Sequence, residues 1–322
     1  MKCLVTGGLG FIGSNLSLEL LKQGHEVYIM DIDHGSANFA DLHDNGAKTY
    51  SWKWAGTTYH ADDIRDIDQI DHLLEDCNID VIFHLAALPR VQYSIAYPTE
   101  SNETNITGTL NLLESAKRHN VKRFVYSASS SAYGDQDTLP LVETMKENPM
   151  SPYALQKLAG EKYCKLYHDI YGMETVSLRY FNVFGPRQSV GSVYAAFIPK
   201  FIDSYINNTR PTIFGDGKQS RDFTHIDNVV QANILAAATD NKKAFGDVFN
   251  VGASNQVSTS HVDKQIRTHL GTSLDPIYGE AVIEPKHTKA DLTKIRSELG
   301  YEVLVDFDTG LKKTIEWFKN KG

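Results

Sequence analysis

Apolar residues come in short runs separated by amphipathic stretches, and this alternation organises the N-terminal half of the chain. Cys3-Leu4-Val5 is a brief apolar run; a glycine-rich turn follows, then the amphipathic stretch Asn15 to Gln23. The pattern predicts a strand, a turn and a helix. That helix stops at Gly24, and Glu26 to Met30 reads as a second strand closing on Asp31. Thr57 to His60 reads as another strand. Val81-Ile82-Phe83-His84-Leu85-Ala86-Ala87 is a continuous run ending in small residues, as suits a central parallel strand buried on both faces. A helical pattern from Glu103 to Arg118 precedes a strand at Arg123 to Ser127. Ser151 then suits an N-cap and Pro152 a first helical turn, opening a helix to about Tyr171. Residues 34–56 resist this reading: Ser36, Asn38, Asp44, Asn45 and Gly46 signal loops, while Trp52 and Trp54 alternate with Ser51 and Lys53, and packing is the role assigned to both tryptophans.

Strands alternating with helices imply right-handed βαβ crossovers and an α/β fold with a doubly wound parallel sheet of Rossmann type. Ligands of such sheets bind beyond the carboxyl ends of the strands. The glycine turn, Asp31, the Ala86-Ala87 segment and the serine run Ser129-Ser130-Ser131 all follow strands, so four segments converge on one edge. No internal repeat or low-complexity linker divides the chain. The expected organisation is a cofactor-binding domain over 1–182 with a returning segment near 222–255, and a smaller interleaved lobe from 183–221 and 256–322.

Composition narrows the classes of function. A chain of 322 residues supports one large α/β unit or two lobes. The net charge of -8 argues against a nucleic-acid footprint and a polybasic membrane surface, although a few local arginines can hold a phosphate whatever the total. Cys3, Cys77 and Cys164 are odd in number and scattered, so neither a disulfide framework nor a zinc spacing is read from them. The histidines form no H-x-x-x-H pair, and no metal site is expected. No signal peptide precedes the first strand and no apolar run approaches membrane-spanning length; the expectation is a soluble protein of a reducing cytoplasm.

The candidate chemistry begins at Thr6-Gly7-Gly8-Leu9-Gly10-Phe11-Ile12-Gly13. Gly8, Gly10 and Gly13 fit G-x-G-x-x-G between a strand and a helix. One glycine allows the tight turn, one lets backbone approach a pyrophosphate, and one lets helix pack on strand. The helix N-terminus then offers free N–H groups and a positive dipole end to the anion. Asp31, about 20 residues further on, can accept hydrogen bonds from an adenosine ribose and would repel a 2′-phosphate, which favours NAD over NADP. The plain alternative for Asp31 is a solvated loop acid, with Asp33 as competitor. Asp63 can meet the adenine amino group or cap a helix. Ala86 and Ala87 let a cofactor's backbone pass closely, and Asn105 either braces the loops beneath it or is a plain buried amide.

Tyr153 and Lys157 stand four apart and share a helical face. A free tyrosine is a poor base at neutral pH, but a neighbouring ammonium and an oxidised nicotinamide both favour its phenolate. Ser129 can hydrogen-bond the same substrate hydroxyl and relay or position its proton.

Together these motifs resemble the extended short-chain dehydrogenase/reductases over nearly the whole length, specifically nucleotide-sugar 4-epimerases of the UDP-hexose and UDP-N-acetylhexosamine type. Asp63-Ile64, Leu85-Ala86-Ala87, Ser129 to Gly134, Tyr153/Lys157, Arg179-Tyr180-Phe181-Asn182, Gly215-Asp216-Gly217 and Arg221-Asp222-Phe223 carry the resemblance beside the glycine turn. It implies tightly held NAD, with Tyr153 as base, Lys157 on the ribose and Ser129 completing a triad. The implied cofactor set is Gly7, Gly10, Phe11, Ile12, Gly13, Asp31, Asp63, Ile64, Leu85, Ala86, Ala87, Asn105, Ser127, Tyr153, Lys157 and Tyr180. The implied substrate set is Ser129, Ser130, Ser131, Tyr153, Asn182, Ala196, Phe197, Lys200, Ile213, Arg221, Thr288 and Asp291, with Arg221 on the diphosphate of a UDP-sugar. A homodimer packed through helices at 98–119 and 151–171 is implied as well.

Four places in the chain bear on the reaction and the sugar. Sister lyases carry an acid in the segment before Tyr-Gly; here Ser130 and Ser131 stand there, with no carboxylate until Asp135. Thr288 matches a position that is bulky and aromatic in hexose-restricted members and small where an N-acetyl group fits; it also suits a helix N-cap before Ala290-Asp291-Leu292. The reading is therefore interconversion of UDP-N-acetylglucosamine and UDP-N-acetylgalactosamine. The departure from the family is Ala281-Val282-Ile283-Glu284, where an arginine usually grips the diphosphate; Lys200, Lys286 or Arg221 is left to compensate. Arg187 can face a substrate carboxylate, which keeps UDP-glucuronate as the runner-up beside UDP-glucose. A non-catalytic NAD sensor is the alternative outside enzymes, and it would not need Tyr153 and Lys157.

Overall fold

A computed structural model describes residues 1–32, 51–54, 56–190, 197–281 and 285–320. Asp33, the loop residues Ser36 to Gly46, Ala196 and Val282 to Glu284 lie outside the described residues, as do the side chains of Trp52 and Trp54.

Strands β1 (Lys2–Thr6), β2 (Glu26–Met30), β3 (Ser51–Trp54), β4 (Thr57–His60), β5 (Val81–His84), β6 (Arg123–Ser129) and β7 (Glu174–Tyr180) join a later strand, Asp247–Val251, in one sheet. Its order is Asp247–Val251, β7, β6, β5, β1, β2, β4, β3. Neighbours are parallel except β3, which pairs antiparallel to β4 at the edge. All four residues of β5 are buried, as expected of a strand covered on both faces. The order runs outward in opposite directions from β1 and β5, which makes the gap between them the switch point where such sheets open a crevice.

Helices α1 (Phe11–Lys22), α2 (Ile67–Cys77), α3 (Val91–Ala96), α4 (Pro98–Asn102), α5 (Gly108–Arg118) and α6 (Pro152–Tyr171) connect the strands. α1 begins four residues before the expected Asn15, inside the glycine motif, because Gly10 already serves as its N-cap. α2 is capped by Asp66, whose side chain accepts from the N–H groups of Asp68 and Gln69, and it buries Ile70, Leu73, Leu74 and Cys77 along one stripe. Asp63 is therefore not the cap. The single helix expected over Glu103 to Arg118 is divided: a π-helical turn at Glu103–Thr107 precedes α5. α6 has Ser151 as its N-cap, accepting from the Ala154 N–H, and Pro152 in its first turn, and it ends on Gly172 with φ +72.

Further helices are α7 (Phe197–Ile206), α8 (Ile226–Ala238), α9 (Thr259–Leu270), α10 (Thr293–Leu299) and α11 (Phe307–Asn320). A separate apolar core, including Phe184, Phe201, Ile213, Phe223, Ile266 and Leu311, holds α7, α9 and α11 together. Residues Ala290, Leu292, Ile295, Leu299 and Tyr301 belong instead to the core of the large sheet, although they fall within 256–322. No helix among the described residues is long and apolar enough to cross a membrane.

Candidate active site

The glycine turn sits at the switch point. Gly7 has φ +66, and its N–H donates to the Met30 carbonyl at 2.8 Å. A Cβ at Gly7 would lie 2.7 Å from the Ala86 nitrogen, and one at Gly13 would lie 2.2 Å from the Gly7 oxygen. Gly7, Gly10 and Gly13 thus carry the turn, the helix cap and the helix packing. The expected use of Gly8 as the first glycine is corrected: its missing side chain makes room for Ile29. This is a cradle that side chains would fill, and it fits the pyrophosphate of a dinucleotide. Phe11 and Ile12 form the first turn of α1. The Asp31 carboxylate accepts from the Leu9 N–H at 3.0 Å, which holds it beside the turn, where a ribose hydroxyl can reach it. Asp63 pairs with Arg65 at 2.6 Å, and that pair holds its carboxyl below its usual range against the opposing effect of burial. Ile64 is buried against Gly108.

The loop after β5 is fixed from below. The Leu85 N–H donates to the Thr6 carbonyl and the Ala86 N–H to Thr6 Oγ1. Thr6 Oγ1 also meets His84 Nδ1 at 2.8 Å, and His84 Nε2 meets Thr109 Oγ1 at 2.9 Å, which in turn donates to the Asn105 carbonyl. Burial holds the His84 imidazole neutral, and the Lys157 charge acts in the same direction. Asn105 accepts from the Leu88 N–H at 2.8 Å and donates to the Leu88 carbonyl and to Gln156. It braces the loop that carries Ala86 and Ala87, and ties it to α6.

Ser129, Tyr153 and Lys157 meet where β6 ends beside α6. The Tyr153 N–H donates to Ser94 Oγ at 3.0 Å, which joins the start of α6 to α3. Lys157 is 3 % exposed; its Nζ donates to the Ser127 carbonyl at 2.8 Å and lies 5.0 Å above the Tyr126 ring. Gly160 allows this approach, since a Cβ there would be 2.2 Å from the Tyr126 hydroxyl oxygen. The expectation that an ammonium lowers the Tyr153 pKa is not met in the polypeptide. Burial raises it, and the hydrogen bond with Ser129 acts the other way. The Lys157 charge is itself disfavoured by burial, which pushes the ammonium down to about 7. Tyr180 is buried in the core of the large sheet, with its hydroxyl donating to Asn233 of α8, so the hydroxyl is not offered to the cofactor.

Beyond the strand ends a cleft of about 310 Å³ is lined by Asn182, Phe197, Ile213, Phe223 and Arg221, among others. Its walls are largely apolar and its polar groups few, as small-molecule sites require. Arg221 Nη1 donates to the carbonyls of Ser220 and Lys286 at 3.0 Å. Lys200 is exposed on α7 and does not line the cleft. Thr288 is buried and its Oγ1 accepts from the Asp222 N–H at 3.3 Å and from Asn182 Nδ2 at 3.4 Å. Its reading as a helix N-cap is corrected: α10 starts at Thr293, and the Asp291 carboxylate accepts from the Thr293 N–H at 2.8 Å. Asp291 is therefore engaged at a helix start, and its own N–H is bound by Leu141.

Gln188 goes unnoticed in the sequence, and Asp222 is named there only as part of a motif. Gln188 lines the cleft, and its Oε1 is a buried acceptor with no partner among the described residues. Asp222 is fully buried and accepts from the N–H groups of Ala253 and Ala290 at 2.9 Å; burial pushes its carboxyl up to about 6. The motif around Arg221 contained Asp222, but only the folded chain shows that it clamps residues 288–290. Nothing local marks Gln188.

A dinucleotide cradle, a Ser/Tyr/Lys cluster and an apolar cleft beyond the same strand ends define a dehydrogenase-like class of enzyme. Residues 3–252 match the model of the NAD dependent epimerase/dehydratase family. A UDP-glucose 4-epimerase of Mycolicibacterium smegmatis is 34% identical over 325 residues, spanning 100% of this chain and 99% of its own. The solved structure of a UDP-N-acetylglucosamine 4-epimerase from Methanobrevibacter ruminantium M1, in complex with UDP-N-acetylmuramic acid, superposes with a TM-score of 0.88 at 36% identity over 100% of this chain and 99% of that one. A UDP-glucuronic acid 4-epimerase from Bacillus cereus, bound to UDP-glucuronic acid and NAD, gives a TM-score of 0.88 at 33% identity, covering 99% of each chain. The chain therefore belongs to the NAD-dependent epimerase/dehydratase family, as an extended short-chain dehydrogenase/reductase of the nucleotide-sugar epimerase class.

Proposed function

We propose that this chain is a UDP-sugar 4-epimerase that interconverts UDP-N-acetylglucosamine and UDP-N-acetylgalactosamine. The observation that supports the choice of sugar is Thr288, a small buried side chain bonded to the cleft residue Asn182, at the position where the family resemblance sets a bulky ring against an acetamido group. NAD, when bound in the glycine cradle, supplies the acceptor for the hydrogen at C4 and the positive charge that favours a Tyr153 phenolate.

Tyr153 takes the proton of the sugar 4-hydroxyl as C4 is oxidised, and returns it when the 4-keto sugar is reduced on its other face. Ser129 would hold the hydroxyl oxygen, and Lys157, anchored on the Ser127 carbonyl, would hold the ribose of the bound dinucleotide. Arg221 and the apolar walls hold the nucleotide while the sugar turns. No carboxylate stands in Ser129 to Gly134, which leaves elimination without its acid and base.

The test is a panel of UDP-sugars incubated without added NAD or reductant, with products resolved by stereochemistry. UDP-N-acetylglucosamine and UDP-N-acetylgalactosamine should interconvert; turnover confined to UDP-glucuronate would move the assignment to that sugar. We also infer a homodimer, supported by the exposed apolar residues Leu155, Leu166 and Ile170 on α6.

A further inference from the structure

A buried polar seam fastens the start of α6 to the loop that follows β5. Asn105, in the π-helical turn, accepts from the Leu88 N–H at 2.8 Å and donates to the Leu88 carbonyl at 3.1 Å. A main-chain N–H can only donate and a carbonyl only accept, so the oxygen and nitrogen of this carboxamide are assigned without choice. The Asn105 nitrogen also reaches Gln156 at 2.8 Å. Gln156 must therefore turn its oxygen to Asn105 and its nitrogen to Ser101 Oγ, 2.9 Å away. Ser101 directs its own proton to the Pro98 carbonyl at 3.1 Å. Ser94 adds a parallel tie: it accepts from the Tyr153 N–H, one of the first amides of the helix and so without an intrahelical acceptor, and donates to the Val91 carbonyl at 2.7 Å. Ser94, Ser101, Asn105 and Gln156 are all buried, so water does not replace these bonds when they are lost.

Gln156 is the junction of the seam. It stands directly before Lys157 and three residues after Tyr153, a spacing that makes it a neighbour of Tyr153 on the helix surface. We propose that Gln156 is a positioning residue that makes the loop 85–88 and the first turn of α6 a single unit, so that a dinucleotide lying against Ala86 and Ala87 fixes where Tyr153 and Lys157 stand. Cofactor and base are then placed by one directional network. A carboxamide suits this role because it accepts at one end and donates at the other; a carboxylate would bury a charge, and an apolar side chain would fill the space without linking the two sides. The inference rests on the reading of Tyr153 as the base.

Gln156→Met keeps the length of the side chain and removes both bonds, while Ser101→Ala removes only the far one. On whichever UDP-sugar the panel shows to be turned over, Gln156→Met should lower kcat roughly ten- to hundredfold, as a small misplacement of reacting groups does, with KM within about twofold because the cleft around Arg221 is untouched. Ser101→Ala should lower kcat by about threefold and add nothing further to Gln156→Met, since both act through one carboxamide. A raised KM at unchanged kcat, unchanged kinetics, or additive losses would overturn the proposal. A second readout needs no sugar: amide hydrogen exchange of residues 85–88 and 152–157 in NAD-stripped and NAD-loaded protein. NAD should slow exchange in both segments of wild type; in Gln156→Met the slowing at 152–157 should fall below about a third of its wild-type size while that at 85–88 persists. A merely structural role would speed exchange with and without NAD and leave the NAD-induced slowing at 152–157 intact. That result defeats the proposal even if every sugar in the panel fails, an outcome that would separately defeat the substrate reading. Ser101→Ala, which leaves α6 itself unaltered, should move both readouts in the same direction by a smaller amount, so a failure of Gln156→Met to fold leaves the test standing.

Discussion

At the scale of single residues, the site is a set of buried polar groups whose protonation the fold controls. Tyr153→Phe removes the proton acceptor and keeps the ring, so kcat should fall by roughly a hundred- to ten-thousandfold while thermal unfolding stays within a degree or two of wild type; a variant that still epimerises would refute the assignment of the base. Lys157 makes a second prediction, about stability. Its ammonium is pushed from 10.5 to about 7 by burial. Between those values the unfolded chain binds a proton that the folded chain does not, so the NAD-free protein gains stability as pH rises through that window; below about 7 the full destabilisation persists. Urea midpoints of wild type and Lys157→Met, compared at about pH 7 and about pH 9.5, should show this gain in wild type alone. Parallel behaviour of the two proteins would mean that the buried ammonium is not the source.

At the scale of elements, close approach and a buried ion pair hold the site in place. Gly13 lets α1 start directly over the turn, where a Cβ would collide with the Gly7 oxygen at 2.2 Å. Gly13→Ala should therefore yield protein without co-purified NAD, read from the nucleotide released on denaturation. Gly24→Ala meets nothing within 4 Å and bears only the strain of φ +80, about 1 kcal/mol. Equal NAD content in the two variants would contradict the cradle. α6 is pinned to β7 by Arg179, fully buried and bound bidentately to Glu161 at 2.8 Å. Arg179→Met strands the Glu161 charge and should cost about 3–5 kcal/mol in denaturant unfolding, most of it recovered when Glu161→Leu is added. Without that recovery, the loss would belong to packing against Tyr133.

At the scale of the whole molecule, the exposed stripe on α6 leads to an assembly prediction. On the proposed homodimer, wild type should sediment as a dimer and Leu166→Asp with Ile170→Asp as a monomer; no change in mass would remove α6 from the interface. The same scale explains what the sequence made legible. The glycine turn, Asp31 and the Tyr153/Lys157 pair are local patterns whose spacing reports their geometry, and strand order brings them together as the alternation implied. The role of Gly7 depends on Ala86 and the bracing role of Asn105 on Gln156, neighbours distant in the chain, and no local spacing announces either. The effect of burial on Tyr153 was missed for the same reason: a helical spacing shows which groups are near, not how much water the fold leaves around them.

If the proposed function holds, Thr288 shows how costly it would be to retarget the sugar site in the laboratory. Its hydroxyl receives both the Asp222 amide and the Asn182 side chain, so an aromatic swap would silence two donors at once while enlarging the wall. Directed evolution toward plain hexoses would have to recruit a fresh acceptor nearby, and single-site libraries at this codon should return stunted, poorly folding clones before they return a new preference.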